Sequence, residues 1–344
     1  MRSWHYSQPH HLETNTILMN QWKFIIKKVV IPEIKKDEIL IKVKSCSICG
    51  SDLKIFNKGT KRFKLPQITG HEISGKIISV GRNINKFKAG DNVAIGADID
   101  NHKNLAIGHE MPGGFAEYMV LNKLMTKKGP IKTFKNISYD AAALAEPLGC
   151  CINGFEKSNV KKNSNILIIG GGPIGLILSS LSLMFKPKNL MLIENSKKRL
   201  KIIKKVTKHI GNILDANNKN IKSNVMNITN NNGADYIFVA NSNPNAQIES
   251  FDYISNNGVI NFFGGLLNNK KISLPTNDIH YKQLKVVGSH GCSVKHHAKA
   301  VKLLEKRKIK LDFCLTHNFS LKDIKKAFQF AKTGKSLKIT INPK

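Results

Sequence analysis

Short apolar runs separated by glycines characterise the first half of the chain. Two of these runs, Ile39–Val43 and Ile73–Val80, are rich in valine and isoleucine. Glycines follow the second run at positions 81, 90, 96, 113 and 114. Apolar runs of this length between turn residues are typical of antiparallel strands. The pattern therefore predicts a small antiparallel β-barrel.

From about Val160 onward, apolar runs alternate with helical stretches. The runs that are typical of buried strands are Ile166–Ile169, Leu190–Ile193, Tyr236–Val239 and Val259–Phe263. Such alternation favours βαβ units, whose parallel strands form a doubly wound sheet. A chain of 344 residues is also too long for one ordinary core and fits about two domains. The expected fold class is therefore α/β, with a barrel domain and a parallel-sheet domain.

A glycine-rich turn joins the first of these parallel strands to a helical segment. Gly170, Gly172 and Gly175 stand where a tight turn, a close approach to a pyrophosphate and helix–strand packing each require a missing side chain. The N-terminus of the following helix offers free N–H groups to the anion. Glu194 ends the next apolar run, about 20 residues beyond the turn, as a ribose-binding carboxylate should. The spacing favours a dinucleotide site over the alternative, a structural glycine turn and an exposed glutamate.

Two further residues are assigned to this cofactor site. Ile174 lies inside the turn, and Arg199 follows Glu194 together with Lys197 and Lys198. A carboxylate at position 194 accepts hydrogen bonds from a ribose 2′-hydroxyl and repels a 2′-phosphate, so NAD is the expected cofactor. The basic residues that follow could weaken this preference by pairing with the phosphate of NADP.

Candidate metal ligands precede the glycine turn. Cys49 begins the segment Cys-Gly-Ser-Asp, His71 and Glu72 follow, and Glu146 stands just before the nucleotide-binding half. A catalytic zinc keeps about three protein ligands of N, S or O type and an open position, whereas a structural zinc is closed by four ligands, mostly cysteine. A thiolate, an imidazole and a carboxylate form such an open set. Cys46 and Cys49 also form a C-x-x-C pair, but no second pair completes a four-thiolate site.

In these residues and their order, the chain resembles the zinc-dependent medium-chain dehydrogenases, in particular the branch of sorbitol (L-iditol) 2-dehydrogenase and L-threonine 3-dehydrogenase. The motifs that carry the resemblance are Ile48-Cys49-Gly50-Ser51-Asp52, Gly70-His71-Glu72, Gly90-Asp91-Asn92-Val93, Gly113-Gly114-Phe115-Ala116-Glu117-Tyr118, Glu146-Pro147-Leu148, the turn at Gly170 and the ending Leu337-Lys338-Ile339-Thr340-Ile341. The resemblance implies a GroES-like catalytic domain over residues 1–155, a Rossmann NAD-binding domain over 156–289 and a return to the catalytic domain over 290–344.

The resemblance also implies a role for each candidate ligand. The zinc-site residues would be Cys49, His71, Glu72 and, directly or through water, Glu146. Ser51 would pass on the substrate proton, so that Ser51, Glu72 and Glu146 are the expected catalytic residues. Asp52 would orient the ligating histidine, and such outer partners tune a metal about as strongly as its ligands do.

The chain departs from the family pattern in two places. Many relatives carry four closely spaced cysteines that hold a structural zinc, but residues 97–111 contain no cysteine, so a single catalytic zinc is expected. His102, His109 and Glu110 are the alternative ligands there, although loop histidines are usually solvated. Lys54 stands where many relatives carry a histidine at the outer end of the proton relay, which leaves the relay beyond Ser51 open.

The net charge of +32 is typical of proteins that bind nucleic acid or anionic membranes. However, only five of the 55 basic residues are arginine, and base readout favours the arginine fork. The lysines are scattered rather than concentrated in a basic arm, which favours solvated surface lysines and no nucleic-acid partner.

Membrane and export signals are missing from the sequence. No stretch of about 18 uncharged apolar residues occurs, and residues 1–11 lack a basic-then-apolar signal region. Six cysteines without a regular pairing pattern fit a reducing compartment. We expect a cytoplasmic homo-oligomer, dimer or tetramer, without a membrane partner.

The sequence thus predicts a zinc-dependent enzyme that transfers hydride from a secondary alcohol of a polyol or sugar alcohol to NAD. A hydroxy amino acid is the alternative substrate, as in L-threonine 3-dehydrogenase, and a non-catalytic or nucleic-acid-binding relative is the alternative of another class. Glu146 favours a polyol, because a carboxylate makes the site harder than a cysteine does. The loop Gly288–His297 favours it too, because it offers Lys295 and histidines but no carboxylate for an ammonium group.

Overall fold

Strands and helices alternate along the chain much as the apolar pattern predicts. The computed structural model describes residues 13–20, 23–100, 105–208, 210–266 and 270–343. The strands, in chain order, are β1 (Glu13–Asn20), β2 (Lys23–Val30), β3 (Ile39–Ser47), β4 (Glu72–Val80), β5 (Asn92–Ile95), β6 (Tyr118–Leu121), β7 (Ile131–Thr133), β8 (Asn165–Ile169), β9 (Asn189–Glu194), β10 (Asn212–Asp215), β11 (Ala234–Val239), β12 (Ile254–Phe262), β13 (Lys285–Gly288), β14 (Leu315–Ser320) and β15 (Lys338–Asn342). The α-helices are α1 (Gly50–Lys58), α2 (Lys123–Lys128), α3 (Tyr139–Ala143), α4 (Ala145–Ser158), α5 (Pro173–Ser182), α6 (Lys197–Val206), α7 (Ile221–Ile228), α8 (Pro244–Glu249), α9 (Thr276–Tyr281), α10 (Val294–Glu305) and α11 (Ile324–Lys332).

A seven-stranded sheet combines the first half of the chain with its end. Its order is β14-β15-β3-β4-β5-β7, and β6 also pairs with β3. Neighbouring strands are antiparallel except β14 and β15, which are parallel. The register places Ser47 opposite both Glu72 and Thr340. The end of β3 therefore lies between the start of β4 and the last strand of the chain.

The second sheet has six parallel strands in the order β10-β9-β8-β11-β12-β13. The four strands predicted from the sequence correspond to β8, β9, β11 and β12, whereas β10 and β13 were not predicted. The strand order reverses between β8 and β11, and ligands of such sheets bind outside the carboxyl ends of the strands at this point. The turn after β8 and the loop after β11 therefore lie where a cofactor is expected.

Helix α4 connects the two sheets. Its Phe155 ring stacks on Phe238 of β11 at a centroid distance of 4.7 Å, and burial of a phenylalanine contributes about 1.5–3 kcal/mol. The carbonyl of Gly154 accepts a hydrogen bond from Asn261 Nδ2 of β12 at 3.2 Å. Because α4 runs across the domain boundary expected between residues 155 and 156, the division of the chain into those segments stays a prediction.

The end of the chain packs against the first sheet. Strand β15 pairs with β3, and Phe328 of α11 is fully buried against the rings of Phe24, Phe56 and Phe115. Because of this packing, Lys338 at the start of β15 is buried beside β3 and β4.

Candidate active site

The N-terminus of α1 fixes the positions of Cys49 and Asp52. Cys49 is the N-cap residue, and its backbone N–H donates to Asp52 Oδ2 over 2.9 Å. Burial raises the pKa of the Asp52 carboxyl, but His71 and this hydrogen bond outweigh it and lower the pKa below the ordinary value. Asp52 is therefore a buried carboxylate, held by the same helix turn that carries the Cys49 thiol.

His71 lies between Asp52 and Ser51, just before β4. Its Nδ1 is 3.5 Å from Asp52 Oδ1, and its Nε2 is 3.4 Å from Ser51 Oγ. Burial lowers the pKa of His71, yet the Asp52 carboxylate and the Cys49 sulfur raise it well above the ordinary value. Among the described residues, neither His71 Nδ1 nor Asp52 Oδ1 has a well-formed hydrogen bond. A metal on the opposite ring nitrogen would make Nδ1 a donor to Asp52, as in many histidine metal sites.

Glu72 is fully buried and ion-paired. Lys338 Nζ contacts both oxygens of its carboxylate, and Ser47 Oγ donates to one of them. Lys338 Nζ also lies 3.4 Å from the carbonyl oxygen of Ile48. Burial lowers the pKa of Lys338, but Glu72 and Cys49 raise it above its ordinary value, so the ammonium stays charged. The structure thus adds Lys338 to the site, a residue that the sequence placed in a motif without a role.

Cys49, His71 and Glu72 form a compact group. One ligand atom from each lies within 4.8 Å of the other two. A sulfur, a nitrogen and an oxygen ligand together suit zinc, and three protein ligands leave room for a fourth, exchangeable one. The position of His71 Nδ1 beside Asp52 Oδ1 fits the same interpretation, so the residues present fit a zinc ion.

Glu146 lies in the same cavity but outside that group. Its carboxylate groups instead with the sulfurs of Cys150 and Cys292, and Cys150 Sγ donates to Glu146 Oε1 over 3.4 Å. Burial raises the pKa of Glu146 to about 7, with His71 lowering it and Glu72 raising it. The pKa of the Cys150 thiol is raised well above the ordinary value by its hydrogen bond with Cys292 and by burial, which keeps it protonated. Binding of Glu146 to zinc, directly or through water, stays a prediction.

His109 and Glu110 have other partners than a second zinc. The His109 ring stacks on His71 at 4.7 Å, and burial together with the His71 charge lowers its pKa to about 4. Glu110 accepts two hydrogen bonds from the guanidinium of Arg62, at 2.8 and 3.0 Å. His102, the third alternative ligand, lies outside the described residues.

The glycine turn after β8 has the geometry that the sequence predicts. Gly170 has φ of +112°, which favours glycine, and a Cβ on Gly175 would lie 1.8 Å from the carbonyl oxygen of Gly170. Gly172 is the N-cap of α5, and a Cβ there would come within 3.1 Å of the Arg199 guanidinium. The backbone at this helix N-terminus can therefore approach a pyrophosphate closely.

Glu194 lies beside the turn, at the end of β9. Its Oε2 accepts from Gly171 N at 2.9 Å, and its Oε1 accepts from Asn195 N and Ser196 N at 2.9 and 2.8 Å. Arg199 Nε stands 4.0 Å from Glu194 Oε2. A carboxylate and a guanidinium thus share the place where a ribose 2′-substituent is expected.

A cavity of about 400 Å³ joins the candidate metal group to the carboxyl ends of the parallel strands. Its lining from the zinc side includes Cys49, Ser51, His71, Glu72 and Glu146. Its lining from the parallel sheet includes Ile174 and residues of the loops after β11 and β12. Lys54 reaches across the cavity and donates to Ser242 Oγ over 3.1 Å. The predicted zinc ligands and Ile174 of the cofactor turn therefore face one space.

Two sequence models of known domains match the chain. The alcohol dehydrogenase GroES-like domain matches residues 35–130, and the zinc-binding dehydrogenase domain matches residues 173–306. The D-arabitol-phosphate dehydrogenase of Enterococcus avium is 30% identical over 328 residues, which cover 90% of this chain and 91% of that protein. The chain belongs to the zinc-dependent medium-chain dehydrogenase family. It is therefore a zinc-containing alcohol dehydrogenase that acts on CH–OH donors with a nicotinamide cofactor.

Other relatives place the chain in the polyol and threonine branch of the family. The D-arabinitol dehydrogenase 1 of Uromyces fabae is 28% identical, with coverage of 93% of this chain and 94% of that protein. The L-threonine 3-dehydrogenase of Bacillus licheniformis is also 28% identical, with coverage of 92% and 94%.

Solved structures share the fold. A 2R,3R-butanediol dehydrogenase of Bacillus subtilis superposes with a TM-score of 0.86 at 22% identity, covering 96% of this chain and all of that one. A zinc-binding dehydrogenase of Sinorhizobium meliloti bound to NADP superposes with a TM-score of 0.84 at 21% identity, covering 97% and 100%. Within the described part of the chain, no helix is long and apolar enough to cross a membrane.

Proposed function

We propose that the protein oxidises a secondary alcohol of a polyol or sugar alcohol and transfers the hydride to NAD. The observation that carries this proposal is the single cavity lined by the Cys49, His71 and Glu72 group on one side and by Ile174 of the glycine turn on the other. A substrate carbon and a nicotinamide ring could meet there, which is the placement that hydride transfer needs.

Different residues of the site would serve in metal binding and in proton transfer. A zinc ion held by Cys49, His71 and Glu72 would supply Lewis acidity, which lowers the pKa of a substrate hydroxyl. Ser51 Oγ, beside His71 Nε2, would relay the hydroxyl proton, accepting it while it donates its own proton toward solvent. Lys338 would hold the Glu72 carboxylate in place, and Asp52 would do the same for the His71 ring. Lys54 follows Ser51 by one helix turn and could carry the proton outward, which stays a prediction.

The polyol assignment rests on the carboxylate of Glu146 and on the relatives. Glu146 lines the cavity where a cysteine would give a softer, less polar site. Relatives named for arabinitol, arabitol phosphate and threonine match the chain at similar identity. We therefore keep L-threonine as the second candidate substrate.

The NAD assignment rests on Glu194. Its carboxylate has no cation closer than the Arg199 guanidinium at 4.0 Å among the described residues, so its charge remains to repel a 2′-phosphate. The ribose hydroxyls of NAD could still donate to it.

The test is turnover of the purified, zinc-loaded protein with a panel of arabinitol, sorbitol, arabitol phosphate, 2,3-butanediol, ethanol and L-threonine, followed as NADH formation. We expect a polyol or diol to have the highest kcat/KM. A primary monohydric alcohol as best substrate would contradict the interpretation of Glu146. L-Threonine as best substrate would keep the enzyme class and overturn the substrate.

We further propose a homo-oligomer without a nucleic-acid partner, in the cytoplasm. Strand β13 is the last strand of the parallel sheet in the described residues, and its outer edge could pair with a second copy. Light scattering on the eluting protein gives the mass, and a monomer would contradict the assembly.

A further inference from the structure

The loop between β13 and α10 lies in the cavity and is held by two aspartates from one turn. Asp98 Oδ2 accepts a hydrogen bond from Cys292 N at 2.8 Å, and Asp100 Oδ1 accepts one from Val294 N at 3.1 Å. Gly291, inside this loop, has φ of +65°, and a Cβ there would lie 2.2 Å from Asp98 Oδ2. The loop is therefore pressed against Asp98, and only glycine fits at that contact.

The two aspartates differ in what else they face. Asp98 lines the active-site cavity together with His71, Glu72 and Glu146, whereas Asp100 does not line it. Asp98 is half-buried, and its second oxygen, Oδ1, has no hydrogen bond or ion pair with the described residues. This oxygen can therefore accept a hydrogen bond from a ligand in the cavity.

The two basic side chains that line this cavity have different partners. The Arg62 guanidinium binds Glu110 through two hydrogen bonds, and the Lys54 ammonium donates to Ser242. Glu146 receives the hydrogen bond of the Cys150 thiol and feels the negative charge of Asp98, which helps to raise its pKa. The cavity near Asp98 is therefore rich in acceptors, and a neutral ligand with several O–H donors suits it better than an anion.

We propose that Asp98 is a substrate-binding residue that accepts a hydrogen bond from a second hydroxyl of the polyol, next to the carbon that is oxidised. The assignment rests on the proposed oxidation of polyols and names the group that distinguishes a vicinal diol from a simple alcohol. Asp98 is also an acidic residue of the kind that the loop Gly288–His297 lacks. The ammonium group of L-threonine could therefore bind Asp98 in place of the hydroxyl. We commit to the hydroxyl, because the Arg62 guanidinium that could hold a threonine carboxylate is already bound to Glu110.

The experiment compares two substrates that differ by one hydroxyl, 2,3-butanediol and 2-butanol, in the zinc-loaded enzyme with NAD. Asp98→Asn keeps the size of the side chain and an oxygen for Cys292 N, but removes the charge. We expect it to lower kcat/KM for the diol by about 10- to 100-fold, mostly through KM, and to change that for 2-butanol by less than about threefold. If Asp98→Asn proves unstable, Asp98→Ala should show the same preferential loss of kcat/KM for the diol over 2-butanol.

Asp100→Asn is the matched control, because Asp100 holds the same loop from outside the cavity. It should change the two substrates equally, and thermal unfolding of both variants checks the loop. If Asp98→Asn lowers kcat/KM equally for the diol and for 2-butanol, the role of Asp98 is purely structural. That result would overturn the assignment of Asp98 but not the proposed function. The wild type could instead have a higher kcat/KM for L-threonine than for the diol, and Asp98→Asn could remove that difference. This result would mean that Asp98 binds an ammonium group, and it would overturn the polyol as substrate. No turnover of any secondary alcohol by the wild type would overturn the proposed function as well.

Discussion

Single residues determine the chemistry of this site, and several of them could be predicted from sequence. Cys49, His71, Glu72 and Glu146 were predicted as zinc-site residues. The structure brings ligand atoms of the first three within 4.8 Å of one another, while Glu146 groups with Cys150 and Cys292. The roles of Lys338 and Asp98 were not predicted, because they depend on contacts between residues far apart in the chain. A lysine inside the apolar run Leu337–Ile341 was a signal that this strand carries a buried partner for a carboxylate.

The ion pair between Lys338 and Glu72 makes a prediction for stability. Lys338→Met leaves the buried Glu72 carboxylate without its counter-charge, which costs about 3–5 kcal/mol of unfolding free energy. Denaturant unfolding of the zinc-free protein measures this loss. Lys335→Met is the control, since Lys335 is exposed and its replacement should stay within about 0.5 kcal/mol. The double variant Lys338→Met, Glu72→Gln should recover much of the loss, and equal stabilities of the two lysine variants would refute the pair.

Cofactor choice depends on the balance between Glu194 and Arg199. Glu194→Ala removes the charge that repels a 2′-phosphate and leaves Arg199 beside the turn. The ratio of kcat/KM for NADP over NAD should then rise by about 10- to 100-fold, the effect of one charge-assisted hydrogen bond. Adding Arg199→Ala should cancel most of that rise. Comparable use of NAD and NADP by the wild type would speak against the role of Glu194.

At the scale of elements, periodicity predicted the long buried strands and missed the short ones. Strands β8, β9, β11 and β12 are continuous apolar runs and were predicted. Strand β10 is a partly buried edge strand of four residues, and β13 is a short edge strand whose ends are exposed, so neither shows an apolar run of sufficient length. Edge strands receive their shape mainly from the neighbour they pair with, which a local pattern does not reveal.

Helix α10 makes a prediction for pH dependence. His297 on this helix is almost fully buried, neither ring nitrogen has a hydrogen bond among the described residues, and burial lowers its pKa to about 3. Because the unfolded chain binds the proton at a higher pH, its contribution to stability is complete above about pH 6.5 and is lost as the pH falls toward 3. Between pH 7 and 5 the loss should reach about 2 kcal/mol.

The test is unfolding free energy at pH 7 and pH 5 for the wild type and His297→Leu. The variant should lose less stability on acidification than the wild type does. His280→Leu replaces an exposed histidine and should leave the acid sensitivity unchanged. Identical pH dependence in all three proteins would show that His297 is not buried as a neutral ring.

At the scale of the whole molecule, the end of the chain returns to the first sheet beside the candidate site. The last strand pairs with β3, next to the strand that carries Glu72, and this return followed from the family resemblance rather than from any local pattern. Lys338 of this last strand therefore contacts Glu72 at the candidate metal group. The expected absence of a second, structural zinc follows from the lack of cysteines in residues 97–111 and is untested so far.

Zinc content per chain tests the central claim most directly. We expect about one zinc per chain in the wild type and in Cys46→Ser, because Cys46 is buried outside the ligand group. Cys49→Ser should lose most of the zinc, and its turnover should fall by on the order of 1000-fold, as loss of a Lewis acid worth several kcal/mol requires. Two zincs per wild-type chain, or a Cys49→Ser variant with unchanged zinc and turnover, would contradict a single catalytic zinc at Cys49, His71 and Glu72.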